Sequence, residues 1–450
     1  ALPGVRRLAQ QHHVSISTAV SACRELEQRR LVEARPRSGF FVCPPAIQLE
    51  TPRPRVSKGR PRAATGQDQL LQLVHAAGDR SIVNLGAAVP DADYLPASAI
   101  EQAIRTVWRE QRRRCMGYEF PPGAPELRVQ IARRLAAMQC RVSPEQVLVT
   151  NSCHESLIIA LRMLTSPGDV VVLESPTYYG LLQVAEALGL KVVEVPSDPT
   201  AGISLEALRE ALQRWPVKAC VVVANFSNPL GVCLSDDRKQ ALLQLLTEHQ
   251  VPLVEDDIYG DLPFAGPRPR PIKSWDTQGL VYYCSSSSKT VAAGLRVGWL
   301  VPGRDERRAS YLQFINSVSV ATASQLALAK YLERGRFERE MRQVSALHAR
   351  SVAHMAERVS QLFPPGTRLS RPSGGFVLWV ELPGATDTSE LLPDALQAGV
   401  SFAPGKLFSA SGKYANCLRL NCAVRWDARV ERALLTLVRL IDDGASQSRP

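Results

Sequence analysis

The sequence predicts two structural parts: a small basic helix-turn-helix head and a larger α/β body with a mainly parallel sheet. Three observations predict this organisation. Basic residues crowd into the first 62 positions, Pro, Gly and Arg fill 51–66 without apolar periodicity, and beyond it apolar β-branched runs alternate with helical runs. With 450 residues, 45% of them hydrophobic, the chain can bury several cores. We expect domains at 1–43 and 67–450, joined by a linker at 44–66.

The composition argues against membrane and disulfide-rich secreted proteins. No apolar run approaches the ~20 residues that a membrane span needs, and the first residues hold no long apolar stretch typical of a signal peptide. The ten cysteines are scattered and form no CxxC pair, which favours reduced thiols in a cytoplasm and no metal site. Since the chain opens with Ala1 rather than Met, we expect it to begin partway through the head.

The formal charge of +11 is concentrated at the beginning of the chain. Residues 1–62 contain 12 Lys or Arg and 4 Asp or Glu, a net charge of +8, whereas the other 388 residues contribute only +3. A basic head on a nearly neutral body indicates that the head contacts a polyanion. Charge alone is equally compatible with a basic solvated tail that has no partner.

The head has the pattern of two short helices followed by a hairpin. Apolar residues have helical spacing over 5–9, HHVS interrupts them, and Ser15 or Ser17 is placed to cap a second helix. The apolar face of that helix would be Ala19, Val20, Cys23 and Leu26. The run LVEARPRSGFFV then predicts a strand, a turn over 35–39 and a second strand over 40–42. This basic turn predicts a wing that lays Arg35 and Arg37 along a phosphate backbone.

The run LPGVRRLAQQHHVSISTAVSACRELEQRRLVEARPRSGFFV resembles the winged helix-turn-helix of the GntR family of bacterial regulators over essentially its whole length. That family usually has another helix before Leu2, and a capping Ser where this chain has Gly4. No charged side chain occurs between Ser15 and Cys23, so base readout would depend on hydroxyl groups. The resemblance implies DNA contacts from Arg6, Ser15, Ser17, Thr18, Arg35, Arg37 and Ser38.

The body alternates apolar strands with helices. The runs VLVTN, DVVVLES, CVVVANF, PLVEDD and VYYCSSSS predict strands, and SLIIALRML and SLEALREALQ predict helices. Apolar β-branched strands separated by helices indicate a mainly parallel sheet that is covered on both faces. Ligands of such sheets bind beyond the carboxyl ends of the strands, so the polar residues after these runs are candidate site residues.

Polar groups of distinct chemistry follow these strands. They are, in chain order, Asn151 to His154 at the start of a helix, Asn228, Asp256, Tyr259, the run 285–289 and Arg296. Singly each is a weak signal, because a Lys after a strand is usually a solvated loop residue and serine runs are usually turns. Together they meet the needs of pyridoxal phosphate, which takes a lysine for a Schiff base, an acid at its pyridine nitrogen and a cationic phosphate clamp.

Over residues 80–440 the body resembles fold-type I aminotransferases, because the motifs occur in that family's order. The resemblance implies a mainly parallel sheet between helices and a smaller C-terminal α+β domain. The resemblance implies that Lys289 in SSSSKTVAAGLRVGWL is the Schiff-base lysine and that Asp256 keeps the ring nitrogen protonated. It implies that Arg419 in NCLRLNCA grips a substrate carboxylate. The implied ring contacts are Asn228, Tyr259 and Tyr178. The implied phosphate clamp is Ser152, Cys153, Ser286, Ser288, Arg296 and, from the neighbouring subunit of a homodimer, Tyr118.

A GntR-like head, a linker and an aminotransferase-like body in one chain resemble the MocR subfamily of regulators. The resemblance implies a cytoplasmic transcription regulator that binds operator DNA and pyridoxal phosphate and senses an amino acid or related amine through aldimine exchange at Lys289. A metabolic aminotransferase with a vestigial head would need the same catalytic set but not the basic head. A DNA-binding protein with a scaffold body would not need Lys289, Asp256 and Arg419 together.

Overall fold

The computed structural model describes residues 2–28, 32–35, 39–42, 50–55, 59–63 and 67–447. Its two compact units are a head, Ala1–Leu49, and a body, Glu50–Pro450. The boundary between them lies inside the segment 44–66 that the sequence predicts as a linker.

The head begins with helices α1 (Val5–Gln11) and α2 (Ile16–Gln28). The cap of α2 is Ser15 rather than Ser17, because Ser15 Oγ accepts the N–H of Thr18 at 3.0 Å. On the predicted apolar face Ala19 and Cys23 are buried, whereas Val20 and Leu26 are partly buried.

The hairpin of the head follows α2. Strand β1 (Val32–Arg35) pairs antiparallel with β2 (Gly39–Val42), and Arg35 lies opposite Gly39 at the turn. Gly39 has a φ of +92°, a conformation that glycine adopts without strain. The N–H of Leu2 donates to the carbonyl of Phe40 at 2.7 Å, which ties the first described residue to the hairpin. The predicted wing is therefore present as a hairpin, while its tip, with Arg37 and Ser38, lies outside the described residues.

The described body contains a large sheet, a four-stranded sheet, a two-stranded sheet and the helices around them. Its strands are β3 (Arg62–Ala63), β4 (Val83–Asn84), β5 (Leu148–Thr150), β6 (Val170–Ser175), β7 (Lys191–Asp198), β8 (Gly202–Ile203), β9 (Val217–Val222), β10 (Leu253–Asp256), β11 (Val281–Ser286), β12 (Gly298–Val301), β13 (Arg368–Leu369), β14 (Val377–Glu381), β15 (Val400–Ser401), β16 (Ala403–Pro404) and β17 (Cys417–Asn421). Its helices are α3 (Gln67–Gly78), α4 (Ala97–Glu110), α5 (Arg112–Cys115), α6 (Pro125–Ala137), α7 (Cys153–Leu164), α8 (Tyr179–Ala187), α9 (Leu205–Arg214), α10 (Asp236–Glu248), α11 (Glu306–Ser317), α12 (Thr322–Glu333), α13 (Phe337–Leu362), α14 (Thr388–Gln397) and α15 (Ala428–Gln447).

The main sheet has the strand order β3-β7-β6-β9-β10-β11-β12-β5. Strands β7, β6, β9, β10 and β11 are parallel to one another, while β3 runs antiparallel to β7 and β12 runs antiparallel to both β11 and β5. Successive residues of β6 enter opposite cores: Val171 and Leu173 pack with α7 and α8, whereas Val170 and Val172 pack with α9 and α10. This alternation confirms the predicted parallel sheet with both faces covered.

The C-terminal sheet has the order β13-β14-β17-β16 and is antiparallel. In its central ladder Trp379 pairs with Arg419, and Glu381 pairs with Cys417. The 26-residue helix α13 connects the part of the chain that forms the main sheet to this C-terminal sheet. The smaller C-terminal α+β part that the sequence predicts is thus present, and it carries Arg419.

Part of the predicted linker lies on the body. The carbonyl of Glu50 accepts the N–H of Leu369 at 3.1 Å, and β3 adds to the edge of the main sheet beside β7. Between these anchors, the carbonyl of Gly59 accepts the indole N–H of Trp215 at 3.1 Å. A Cβ at Gly59 would lie 3.0 Å from the carbonyl oxygen of Glu194, so the segment approaches β7 closely. The described residues 50–55 and 59–63 are therefore held on the body, because backbone groups in both segments hydrogen-bond to it.

Candidate functional site

The candidate lysine lies just beyond strand β11, inside a loop with serines. Lys289 is partly buried, and its Nζ donates to the carbonyl of Ala88 at 2.6 Å. Burial, and next the positive charge of Arg419, lower the pKa of Lys289 to about 8, against an opposing effect of Asp256. A larger fraction of this amine is therefore neutral near physiological pH than of an ordinary lysine, which favours nucleophilic attack on a carbonyl.

The candidate acid is the last residue of β10. Asp256 is 4% exposed, and its Oδ1 accepts hydrogen bonds from the thiol of Cys153 and from the N–H of Ile258, both at 3.2 Å. Burial raises the pKa of Asp256 to about 6, while these two hydrogen bonds oppose the shift. A buried carboxylate in this place is suited to hold a protonated ring nitrogen by charge.

The neighbouring Asp257 has a different environment. Its carboxylate accepts hydrogen bonds from Asn225 at 2.8 Å, from Arg268 at 2.7 Å and from Tyr283 at 2.8 Å. Three donors occupy it, so Asp256 is the acid of the Asp256-Asp257 pair that remains for a ligand. The motif EDD alone gave no signal for this division, because the donors come from three separate segments.

Arg419 meets the candidate site from β17. It is fully buried, its guanidinium donates to Asn228 Oδ1 at 3.3 Å and to the carbonyl of Gly86, and its Nε has no hydrogen-bond partner. The guanidinium carbon lies 5.8 Å from the ring centre of Tyr179 and 5.5 Å from that of Phe408. A buried donor without a partner is costly in a folded protein, so this arginine is prepared for an acceptor such as a carboxylate.

Two further predicted ring contacts lie together. Asn228 and Tyr259 are both buried, and the Asn228 side chain donates to the Tyr259 hydroxyl at 3.5 Å. Burial raises the pKa of Tyr259, which keeps the phenol protonated and able to donate a hydrogen bond. Tyr178 is partly buried and its ring lies 4.9 Å from that of Tyr179, next to the arginine.

The buried residues predicted to bind the phosphate lie at and near the start of α7. Ser152 caps this helix, and a Cβ at Gly298 would lie 2.4 Å from the carbonyl carbon of Ser152, so glycine permits the close approach of β12. The thiol of Cys153 is directed to Asp256, so in this arrangement Cys153 has only its backbone N–H for a phosphate. Ser286 and Ser288 are buried and joined by a 3.2 Å bond from the Ser288 N–H to Ser286 Oγ.

The last two predicted phosphate contacts are exposed. Arg296 has a φ of +53° and its guanidinium donates to the carbonyl of Ala293 at 3.4 Å. Tyr118 is 74% exposed, whereas the serines are buried. Within one chain Tyr118 is thus a surface residue, as a residue that serves a neighbouring subunit would be.

The head residues predicted to contact DNA are exposed where the structure describes their side chains. Ser15 Oγ lies 2.7 Å from Ser17 Oγ and 2.8 Å from Thr18 Oγ1, so the three hydroxyls form one cluster at the start of α2. Arg6 is exposed on α1. Arg35 ends β1, and Arg37 and Ser38 lie outside the described residues.

In the described part of the chain no helix is long and apolar enough to cross a membrane. Among the same residues, His, Cys, Asp and Glu form no group of three or more that could hold a metal ion. The described cysteines form no disulfide with one another.

Two family models match the chain. Residues 80–437 match the family described as aminotransferase class I and II, and residues 1–42 match the bacterial regulatory proteins of the gntR family. The uncharacterized HTH-type transcriptional regulator YjiR of Escherichia coli is 39% identical over 433 residues, which cover 96% of this chain and 92% of the relative.

Two solved structures resemble the body. The kynurenine aminotransferase of Pyrococcus horikoshii, in complex with PMP, KYN and KYA, has a TM-score of 0.78 and 26% identity and covers 86% of this chain and 96% of its own. The α-aminoadipate aminotransferase LysN of Thermus thermophilus, complexed with N-(5'-phosphopyridoxyl)-L-leucine, has a TM-score of 0.78 and 25% identity, with coverage of 86% and 97%.

Proposed function

Because the chain belongs to the aminotransferase class I and II family and carries a gntR-family regulatory domain at its N-terminus, we propose that it is a DNA-binding transcription regulator that senses an amine. In this proposal the body holds pyridoxal phosphate, and an amino acid or related amine that reacts there changes DNA binding by the head. The observation that carries the proposal is the presence, in one chain, of a basic winged head and of a partly buried Lys289 with the buried Asp256 and Arg419.

The residues of the candidate site fit pyridoxal phosphate. Lys289 is an amine of lowered pKa, Asp256 is a buried acid, and the Nε of Arg419 is a buried donor without a partner. When bound, pyridoxal phosphate supplies an aldehyde that condenses with primary amines and a ring that withdraws electrons. The other residues that we propose hold it are Asn228, Tyr259, Tyr178, Ser152, Cys153, Ser286, Ser288, Arg296 and the partner subunit's Tyr118.

The side chains of the site have separate tasks in this proposal. Asp256 keeps a negative charge beside the ring nitrogen, and Tyr259 and Asn228 donate hydrogen bonds at the ring's phenolic oxygen. Lys289 would hold the cofactor covalently through Nζ and, once free, its amine would accept and donate protons at the bound effector. Arg419 exchanges its bond to the Gly86 carbonyl for the carboxylate of the effector. That exchange is a contact that differs between the free and bound states, as any allosteric change requires.

We propose that two copies of the chain associate through an exposed apolar face around Tyr118. Met116 is 77% exposed, Tyr118 74% and Tyr311 63%, and the ring centre of Phe120 lies 5.5 Å from that of Tyr118 and 6.3 Å from that of Phe314. Exposed apolar patches of this kind mark association surfaces, and a second copy would place Tyr118 at the partner's phosphate groups. Replacing Phe314 with Asp should give a monomer by light scattering, whereas Leu435→Asp, an exposed control on α15, should remain dimeric.

The metabolic aminotransferase is the second candidate, since the solved structures that resemble the body are aminotransferases. It is less well supported, because YjiR, named as a regulator, is 39% identical and spans the head as well as the body. Residual transamination is compatible with both functions, so turnover alone does not distinguish them.

The decisive experiment measures the cofactor and the DNA in the same titration. Full-length protein loaded with pyridoxal phosphate is titrated with a panel of L-amino acids while absorbance reports the cofactor and fluorescence anisotropy reports a labelled DNA from upstream of its own gene. We expect one amino acid to change both signals of the wild-type protein over the same range of concentrations. Rapid turnover with a 2-oxo acid and no change in DNA binding with any amino acid would instead identify a metabolic aminotransferase.

A further inference from the structure

We propose that Arg55, which precedes the body's folded core in sequence, is a positioning residue for the carboxylate-binding Arg419. Arg55 belongs to the segment that the sequence predicts as a linker, named here the strap and defined as residues 50–55 and 59–63. This inference rests on the proposed function, in which Arg419 binds the carboxylate of the effector.

Arg55 is held against the end of the C-terminal sheet. Its guanidinium donates to Asn416 Oδ1, lies 3.7 Å from Glu381 Oε1 and stacks 5.2 Å from the ring centre of Tyr414. The backbone N–H of Arg53 donates to the other carboxylate oxygen of Glu381 at 3.1 Å. The side chain of Arg55 remains 34% exposed, so it clamps the edge of the sheet without belonging to its core.

A ladder of backbone pairs connects these contacts to Arg419. Glu381 pairs with Cys417, and two positions further along the same ladder Trp379 pairs with Arg419. Asn416, the acceptor for Arg55, immediately precedes β17, and its own side chain donates to the Leu382 carbonyl at 2.6 Å. The clamp therefore fixes the end of the two strands whose register sets the place of Arg419, because paired strands move together.

A chain of packed aromatic rings gives a second connection. Tyr414, under the guanidinium of Arg55, lies 5.8 Å from Trp379, and Trp379 lies 5.1 Å from Phe408. Phe408 in turn lies 5.5 Å from the guanidinium of Arg419. Close-packed cores transmit small shifts because they contain few voids, so loss of the clamp reaches Arg419 through side chains as well as through the ladder.

The other end of the strap is fixed to the main sheet. The Gly59 carbonyl accepts from Trp215, and β3 pairs with β7. Glu194 on β7 also accepts from Ser409 and, at 3.3 Å, lies near Lys413, both in the loop that leads into β17. The strap thus bridges the two sheets beside a joint between them. Bidentate binding of a carboxylate depends on geometry within a fraction of an ångström, so the bridge affects affinity for carboxylates specifically.

The test compares two amines that differ only in the carboxylate. Apparent dissociation constants of L-alanine and of ethylamine are measured by the absorbance of bound pyridoxal phosphate in the full-length protein. Replacing Arg55 with Ala should weaken the binding of L-alanine about tenfold, the scale of one charge-assisted hydrogen bond. The dissociation constant of ethylamine should not change. Arg55→Lys should recover part of the loss, because it keeps the charge and one donor. The matched control is Arg60→Ala, an exposed residue of the same strap, which should behave as wild type.

The outcomes separate this inference from the proposed function. Wild-type protein that binds L-alanine no better than ethylamine would show that Arg419 does not bind a carboxylate, which contradicts the proposed function itself. A wild-type preference for L-alanine that Arg55→Ala retains would contradict the positioning role alone. Equal weakening of both amines would show a general disturbance of the body and would also overturn it. If Arg55→Ala does not fold, the ratio of the dissociation constants of ethylamine and L-alanine is measured in Arg55→Lys instead. A wild-type ratio in that variant would contradict the positioning role of the Arg55 guanidinium.

Discussion

The head and the body place their candidate functional groups in opposite environments. In the head, Ser15, Ser17 and Thr18 are exposed. In the body, Arg419 is fully buried and Asp256 is 4% exposed. The head (1–49) has a net charge of +4, from 7 Lys or Arg and 3 Asp or Glu, whereas the body has +7 over 401 residues and holds the charged side chains of Asp256 and Arg419 inside.

Because of this difference, the head and the body are sensitive to different changes in conditions. Surface charges act on a polyanion over a distance and are screened by salt, so the head tolerates small displacements but responds to ionic strength. Buried charges have shifted pKa values and defined partners, so the body responds to single-atom changes and to pH.

Replacing Lys289 with Ala should abolish covalent attachment of the cofactor completely, because the proposal assigns that attachment to the Lys289 amine. After treatment with borohydride and denaturation, wild-type protein should retain the cofactor absorbance and the variant should not. DNA binding by the effector-free head should persist in the variant. Equal retained absorbance in both proteins would disprove the assignment of the lysine.

Replacing Asp256 with Asn should leave cofactor binding in place but slow the reaction with amines by about a hundredfold, the scale of a lost electrostatic contact at a reacting centre. A neutral amide does not hold the ring proton by charge. Stopped-flow absorbance with an amino acid measures the rate. Asp257→Asn does not test the same role, because three donors already bind the Asp257 carboxylate. An unchanged rate in Asp256→Asn would show that the Asp256 carboxylate does not act in the reaction.

The rate at which cofactor-free protein incorporates pyridoxal phosphate should depend on pH, with a midpoint near the pKa of Lys289. Its pKa is lowered to about 8, so the reactive neutral amine increases about tenfold per pH unit below that value and levels off above it. N-acetyl-lysine, with an ordinary pKa, should continue to gain reactivity well above pH 8 under the same conditions. Parallel profiles for the two amines would show that burial does not shift the pKa of Lys289.

Replacing both Arg35 and Arg37 with Ala should weaken DNA binding about tenfold on all sequences alike and reduce the slope of log affinity against log salt by about 2, since each phosphate contact contributes about 0.9. Anisotropy at several salt concentrations measures both quantities. Thr18→Ala serves as the contrasting variant and should mainly relax sequence preference. A loss confined to one sequence in the double variant would mean that these arginines read bases.

Replacing Ser15 with Ala should destabilise the head by about 1 kcal/mol, the usual cost of a lost N-cap. Hydrogen exchange of α2 amides in the full-length chain measures the change. Ser17→Ala should have a smaller effect, because Ser15 alone accepts the N–H of Thr18. Cofactor absorbance should be identical in all three proteins; an altered absorbance would show that the cap affects the body.

Local sequence patterns predicted the order of the elements and one candidate site. Helical spacing followed by a Gly-containing basic turn predicted α1, α2 and the hairpin, and apolar runs predicted β6, β9, β10 and β11. The polar residues after those runs predicted one site, and the structure brings Asp256, Asn228, Tyr259 and Arg419 close to one another. The fold prediction is confirmed because periodicity is a local property of the sequence, and the candidate residues lie together because parallel strands present their carboxyl ends at one edge.

The hydrogen-bond partners of these side chains depend on the tertiary structure and do not follow from the local sequence. The strap lies on the body because Arg55 meets Asn416, 361 positions away in sequence, and Arg419 meets Gly86 across 333 positions. The thiol of Cys153, predicted for a phosphate, meets Asp256 across 103 positions. The periodicity of a single sequence describes neighbours along the chain, whereas hydrogen bonds and burial depend on which distant segments fold together, and so on the packing of the whole body.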